Sequence, residues 1–229
     1  TPPNLPSKVV VDDKGNTTVQ TPAGNNVEIG GERYQVGDYE TEFNVNEEGK
    51  VTVTDGNVVL APGQSIVDAN GTEYINTGTA PLDITMSKEG PTQIEIPEGG
   101  SFEYKPEGAK EALEYENPGG NDATFSVDEG GNISLESELE MPAGKASNVS
   151  VSLNGNTVNI QTPSTNTGDV LLNPVEGTIT VEKMGDKVVV GDTEYESTAA
   201  NTVLKPVGNG KVELESGGVK LDMGEEINV

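Results

Sequence analysis

A pattern of twenty residues that occurs twice limits the folds open to this chain more than any other feature. Gly49–Asp68 opens with Gly-Lys-Val, sets a Gly ahead of an apolar pair and carries Ile66 two residues before its end; Gly210–Val229 does the same with Ile227. A second marker fixes a register. Gly30-Gly31-Glu32-Arg33-Tyr34, Asn70-Gly71-Thr72-Glu73-Tyr74 and Gly191-Asp192-Thr193-Glu194-Tyr195 match, with Leu113-Glu114-Tyr115 and Asn154-Gly155-Asn156-Thr157-Val158 as weaker copies. The anchors at 34, 74, 115, 158 and 195 are 40, 41, 43 and 37 residues apart. A fixed period of about 40 residues marks a repeat architecture.

Within a unit the order of elements holds. After the anchor comes an alternating apolar pair (Phe43/Val45, Leu82/Ile84, Phe125/Val127, Val170/Leu172). A turn with Gly49, Gly90, Gly130, Gly177 or Gly210 follows, then a second pair such as Val51/Val53, Ile94/Ile96 or Ile179/Val181. The third pair is Val58/Leu60, Phe102/Tyr104, Leu139/Met141, Val188/Val190 or Val219/Leu221. Apolar alternation with period two over short runs bounded by Gly, Asn, Asp and Pro is the strand signal. Only Glu107–Tyr115, with Ala109, Ala112 and Leu113, has spacing for a turn or two of helix. The organisation expected is a Pro-rich linker over 1–8, then an array over 9–229. A partial unit covers 9–30; full units cover about 31–70, 71–111, 112–154, 155–191 and 192–229.

Two all-β architectures satisfy this pattern. The expected one is a β-solenoid or β-helix of short strands, whose coils stack aliphatic positions into ladders. The alternative is a run of tandem antiparallel β-sandwich-like modules, which Asn70-Gly71 and Gly30-Gly31 support as two-residue hairpin turns. Composition favours the thin core of a solenoid. The chain has 229 residues, 32% of them hydrophobic, with no Trp and three Phe, so Val, Ile and Leu must fill the interior. Charge opposes it. In-register coils bring like side chains within about 4.8 Å, and thirty-nine acidic residues would have to be staggered, solvated or neutralised.

The same charge excludes whole classes of partner. A net charge of −26 leaves no clustered Lys and Arg for nucleic acid or an anionic membrane surface. No apolar run is long enough for membrane insertion. Without His or Cys there is no ordinary neutral-pH base, no Ser-His arrangement and no thiol nucleophile. Paired carboxylates would suffice for glycoside hydrolysis, but no motif specifies a reaction, so the expectation is that the chain is not an enzyme.

Two groups of residues remain as candidate sites. Tyr34, Tyr74, Tyr115 and Tyr195 recur at matching places. As an exposed row they would stack on sugar rings; as a buried ladder they would only pack. Glu136, Glu138 and Glu140 alternate with Leu135, Ser137, Leu139 and Met141. Same-face neighbours on a strand lie about 6.8 Å apart, so a hard cation could bridge two of them. Calcium requires six to eight oxygen ligands, however, and one strand does not supply them. A solvated acidic face is the competing reading. The acidic loop pairs Asp12-Asp13, Glu47-Glu48, Asp128-Glu129 and Glu225-Glu226 lack the EF-hand spacing.

The elements Gly49-Lys50-Val51-Thr52-Val53-Thr54-Asp55-Gly56 and Asn70-Gly71-Thr72-Glu73-Tyr74 give the chain a family likeness. Over residues 9–229 it resembles the tandem β-repeat regions of Gram-positive bacterial cell-surface proteins. That resemblance implies an extracellular, cell-surface location. It also implies a non-catalytic role as stalk, spacer or adhesive surface of a larger protein, facing glycans or a host or cell-wall surface. The alternative is a carbohydrate-binding module that uses the Tyr row with calcium assistance; no other cofactor is expected.

Overall fold

The structure is a computed structural model describing residues 6–221, 224 and 226–229. It is all-β. The strands are β1 Lys8–Val11, β2 Thr17–Thr21, β3 Asn26–Ile29, β4 Glu32–Val36, β5 Thr41–Val45 and β6 Val51–Leu60. Next come β7 Ser65–Val67, β8 Glu73–Asn76, β9 Leu82–Met86, β10 Thr92–Ile96, β11 Ser101–Lys105 and β12 Leu113–Glu116. They are followed by β13 Ala123–Val127, β14 Ile133–Leu135, β15 Leu139–Met141, β16 Ser147–Leu153, β17 Asn156–Thr162 and β18 Val170–Asn173. The last are β19 Thr178–Val181, β20 Lys187–Val190, β21 Thr193–Ser197, β22 Thr202–Gly208, β23 Lys211–Ser216 and β24 Val219–Lys220. The chain divides into two compact units. Unit 1 comprises Thr1–Ile96, Gly100–Tyr115 and Ser126–Asn132; unit 2 comprises Pro97–Gly99, Glu116–Phe125 and Ile133–Val229.

Within unit 1 the chain alternates between two sheets, one hairpin at a time. The hairpins β1–β2, β5–β6 and β9–β10 build one sheet in the order β1-β2-β5-β6-β9-β10, which β3–β4 joins through β6. The strands β12-β11-β8-β7 build the other. Unit 2 repeats the alternation with sheets β15-β18-β19-β22-β23 and β16-β17-β20-β21-β24. The registers are antiparallel, as in Leu172↔Ile179 and Tyr104↔Tyr74. They are compatible with sandwich-like hairpin modules; the stacked coils of a solenoid are not seen in them.

Alternation in sequence becomes alternation in burial. Along β9, Leu82, Ile84 and Met86 are buried and Asp83 and Thr85 half-buried, because successive strand residues face opposite sides. The third apolar pair, however, is not one class. Val58/Leu60 and Leu139/Met141 pair with the strands holding Ile84 and Leu172, whereas Phe102/Tyr104 pairs with Asn76 and Tyr74. The pairing partner therefore changes from one 40-residue unit to the next.

Local chemistry sets the turns. In the loops that open at Asp12, Asn46, Asp68 and Asp128, the amide of the fourth residue donates to the carbonyl of the first. The first side chain accepts from the backbone amide of the fifth residue, as Asp68 does from Thr72 at 3.0 Å. This is an Asx turn closed by a glycine in the left-handed region. In the Asp128 loop that glycine is Gly131 (φ 77°), one residue past the Gly130 expected from sequence.

Three other expectations shift. No helix forms over 107–115. Ala109 donates to the Pro106 carbonyl in a tight turn, and β12 begins at Leu113. The segment 133–141 is two strands rather than one, broken where Ser137 Oγ accepts from the Thr124 amide at 2.8 Å. Val158 is only half-buried. Counted from the end of its strand, Ile160 takes the place that the tyrosine holds in β8 and β21. Of the expected linker, Ser7 is tied to Thr21 by a 3.0 Å hydroxyl contact, and residues 1–5 lie outside the described residues.

Candidate functional site

The crossovers between sheets are where side-chain chemistry concentrates. Two residues after Tyr74 and Tyr115 stand Asn76 and Asn117, both buried. Each accepts from the amide two residues on (Gly78 at 3.0 Å, Gly119 at 3.1 Å) and donates to the carbonyl four residues on (Ala80 at 2.8 Å, Asn121 at 2.6 Å). Asn57 does related work in unit 1, accepting from Asp38 N at 2.9 Å and donating to Thr85 Oγ1 at 3.1 Å. Asn57 also donates to Asp83. A Cβ on Gly37 would fall on the Asn57 side-chain oxygen, so that position requires glycine. These asparagines replace water for loop amides and carbonyls that would otherwise be buried unpaired. Asn at two residues past an anchor Tyr was the sequence signal for them.

The tyrosine row is interior. Tyr34, Tyr74, Tyr115 and Tyr195 are all buried, Tyr74 completely. Tyr74 and Tyr115 share a sheet with Tyr104 between them, at centroid distances of 6.3 and 6.2 Å. Tyr115 stacks on Phe102 at 5.5 Å, and Tyr34 tilts against Phe43 at 5.4 Å. Tyr195 lies in unit 2, opposite Val188. The Tyr74 hydroxyl donates to Asp68 at 3.0 Å, and that of Tyr104 to the Gly131 carbonyl. Burial pushes all the phenols of Tyr34, Tyr74, Tyr104 and Tyr115 up, Tyr115 to about 12. These rings pack in the interior, and Tyr34 also borders a surface hollow in unit 1.

The acidic strand does not converge either. Glu136 and Glu138 are exposed, and Glu136 accepts from Ser134 Oγ at 3.0 Å. Glu140 is half-buried. Its carboxyl is held above the usual range by burial and then by the charges of Asp169, Glu182 and Glu98. Among the described residues no three carboxylates come together as a metal site. Of the loop acids, Asp12 and Asp128 are engaged by their own turns. Asp12 and Asp128 accept from Asn16 and Asn132, which lowers both carboxyls. Glu225 lies outside the described residues.

Surface hollows are shallow and turn-lined. One of about 280 Å³ in unit 2 is bounded by Gly155, Asn156, Gly191, Asn209 and Lys211. Another of about 230 Å³ in unit 1 lies beside Ile29, Glu32 and Ser65. The exposed feature with the clearest apolar character is β1, where Val9, Val10 and Val11 all face solvent on an outermost strand. No protein-family model, curated protein or solved structure matches the chain.

Proposed function

We propose that the chain is a non-catalytic repeat segment serving as spacer, stalk or adhesive surface of a larger extracellular, cell-surface bacterial protein. One observation carries this reading: the residues that recur with the repeat are engaged inside the fold. The tyrosines pack, the asparagines bond loop backbone, and the Asx turns close hairpins. Recurring residues spent on packing and turns, beneath an acidic surface, suit a part whose job is to place other parts. The antiparallel registers support tandem sandwich-like hairpin modules as the architecture of the array.

Protease shaving of intact cells of the source organism tests the location. Peptides from this chain should be released from unbroken cells, and their appearance only after lysis would contradict the reading. Arrays of glycans and cell-wall fragments test the adhesive role against that of a plain spacer.

A further inference from the structure

We propose that the outer edges of β1 and β24 are the two halves of one joint, so that a second copy of this chain docks head to tail. Its Val219–Leu221 segment would pair antiparallel with β1. The inference stands on strand registers and does not rest on the surface-protein reading.

The head half is defined by three equivalent hairpins. Val9 lies opposite Val19, Ile84 opposite Ile94, and Leu172 opposite Ile179. Ile84 and Leu172 are each 0% exposed, but Val9 is 60% exposed. A covering strand is one part of the difference. Val58 pairs with Ile84 on its outer side, and Leu139 pairs with Leu172. β1 is the end strand of its sheet and has no such neighbour among the described residues.

The tail half is defined by the same joint seen from the other side. Val58 pairs with Val36 of β4, and Val219 pairs with Ser197 of β21. Ahead of each strand stands a glycine in the left-handed region, Gly56 (φ 116°) and Gly217 (φ 83°). A Cβ on the first would meet Thr41 at 2.5 Å, and on the second Thr202 at 2.5 Å. Both threonines are wholly buried and clamp the chain alike. Asn57 N donates to Thr41 Oγ1 at 2.9 Å, and Gly218 N to Thr202 Oγ1 at 3.3 Å. A parallel bridge, Val53–Asp68 in one place and Glu213–Asn228 in the other, completes the match. β24 thus occupies the place of the C-terminal half of β6, but among the described residues it is the end strand of its sheet, whereas β6 goes on to pair with β9.

Carrying the internal register across sets Val219 opposite Val9 and Leu221 opposite Ser7, as Val58 stands to Ile84 and Leu60 to Leu82. It also sets Lys220 opposite Lys8, the places held by Val59 and Asp83 inside the chain. Like charges directly opposite weaken a strand pair, so Lys8→Glu should strengthen this one despite adding negative charge. Contact between different patches leaves an open end on each copy and forms chains rather than closed pairs. With −26 charges on each copy, salt should favour assembly.

Sedimentation velocity of the full chain at rising concentration and salt tests the proposal. The wild type should form a concentration-dependent series of oligomers. Val9→Asp should weaken association about tenfold or more, since it removes a buried apolar pair. Val219→Asp should do the same, with Leu221→Asp as a milder tail variant and circular dichroism confirming that each is folded. Mixing the Val9 and Val219 variants should give one-to-one dimers that grow no further, because each retains the half the other lacks. A wild type that stays monomeric at all concentrations and salts would overturn the proposal. So would association indifferent to Val9→Asp, or a mixture that forms no dimer.

Discussion

Two joints of identical register are filled with different chemistry. In unit 1, Val58 and Leu60 lie on Ile84 and Leu82, with the buried Asn57 beside them. In unit 2, Leu139 and Met141 lie on Leu172 and Val170, with the half-buried Glu140 between them. Around the first joint the interior is aromatic, with Tyr34, Phe43, Tyr74, Phe102, Tyr104 and Tyr115; around the second it is mostly aliphatic. Backbone pairing and turn chemistry hold the register, and side chains of several shapes can then fill the space. The difference in filling should make the two units fail under different conditions.

Alkali should separate them most. Tyr34, Tyr74, Tyr104 and Tyr115 keep their protons in the fold above the ordinary phenol range, so folded unit 1 binds protons that the unfolded chain releases. Its stability therefore falls as pH rises above about 10. Phenolate absorbance should appear together with loss of β-structure in unit 1, before unit 2 opens. Smooth phenol titration with the fold intact would contradict the burial of these rings.

Next in size are core truncations at equivalent places. Leu172→Ala should cost about 2–5 kcal/mol, whereas Val9→Ala should change stability by less than about 0.5 kcal/mol. Denaturant melts of the two variants check this, and equal losses would remove the distinction between covered and open edges. Asn57→Ala should cost about 1–3 kcal/mol by stranding the Asp38 amide. Hydrogen exchange at Asp38 should quicken in that variant.

The smallest effect concerns charge. Ionised Glu140 opposes folding because its carboxyl is raised by burial and neighbouring acids, so stability from this group falls as pH rises between its unfolded and folded pKa. Glu140→Gln should raise the melting temperature by about 1–2 °C at neutral pH and by nothing in acid. Glu42 in unit 1 has the opposite sign. Lys88, 2.8 Å away, lowers its carboxyl, and that stabilisation is lost as pH falls through the folded pKa. Melting Glu140→Gln and Glu42→Gln across pH would show the two trends diverging.

What could be read in advance follows from this division. The all-β class and most of the alternating apolar pairs were legible, because alternation reports the backbone directly. The direction of strand pairing was not, since Val58-Val59-Leu60 alternates equally well beside a parallel or an antiparallel neighbour. Nor was the break at Ser137, because a serine between two glutamates keeps the alternation while its hydroxyl caps the Thr124 amide. The tyrosines were found, but their orientation was not, since the same ring can face a sugar or a core. Asn76 and Asn117 were missed because a polar residue after a strand reads as ordinary loop until its two backbone bonds are seen.

Residue-resolved amide hydrogen exchange across β1, β9 and β18 tests the central claim most directly, that one joint covers Ile84 and Leu172 and is open at Val9. With the chain monomeric, the outward amides of β9 and β18 should be protected nearly as strongly as the core, and those of β1 should exchange close to the unprotected rate. Equal protection on all three strands, or free exchange on β9 and β18, would contradict the account.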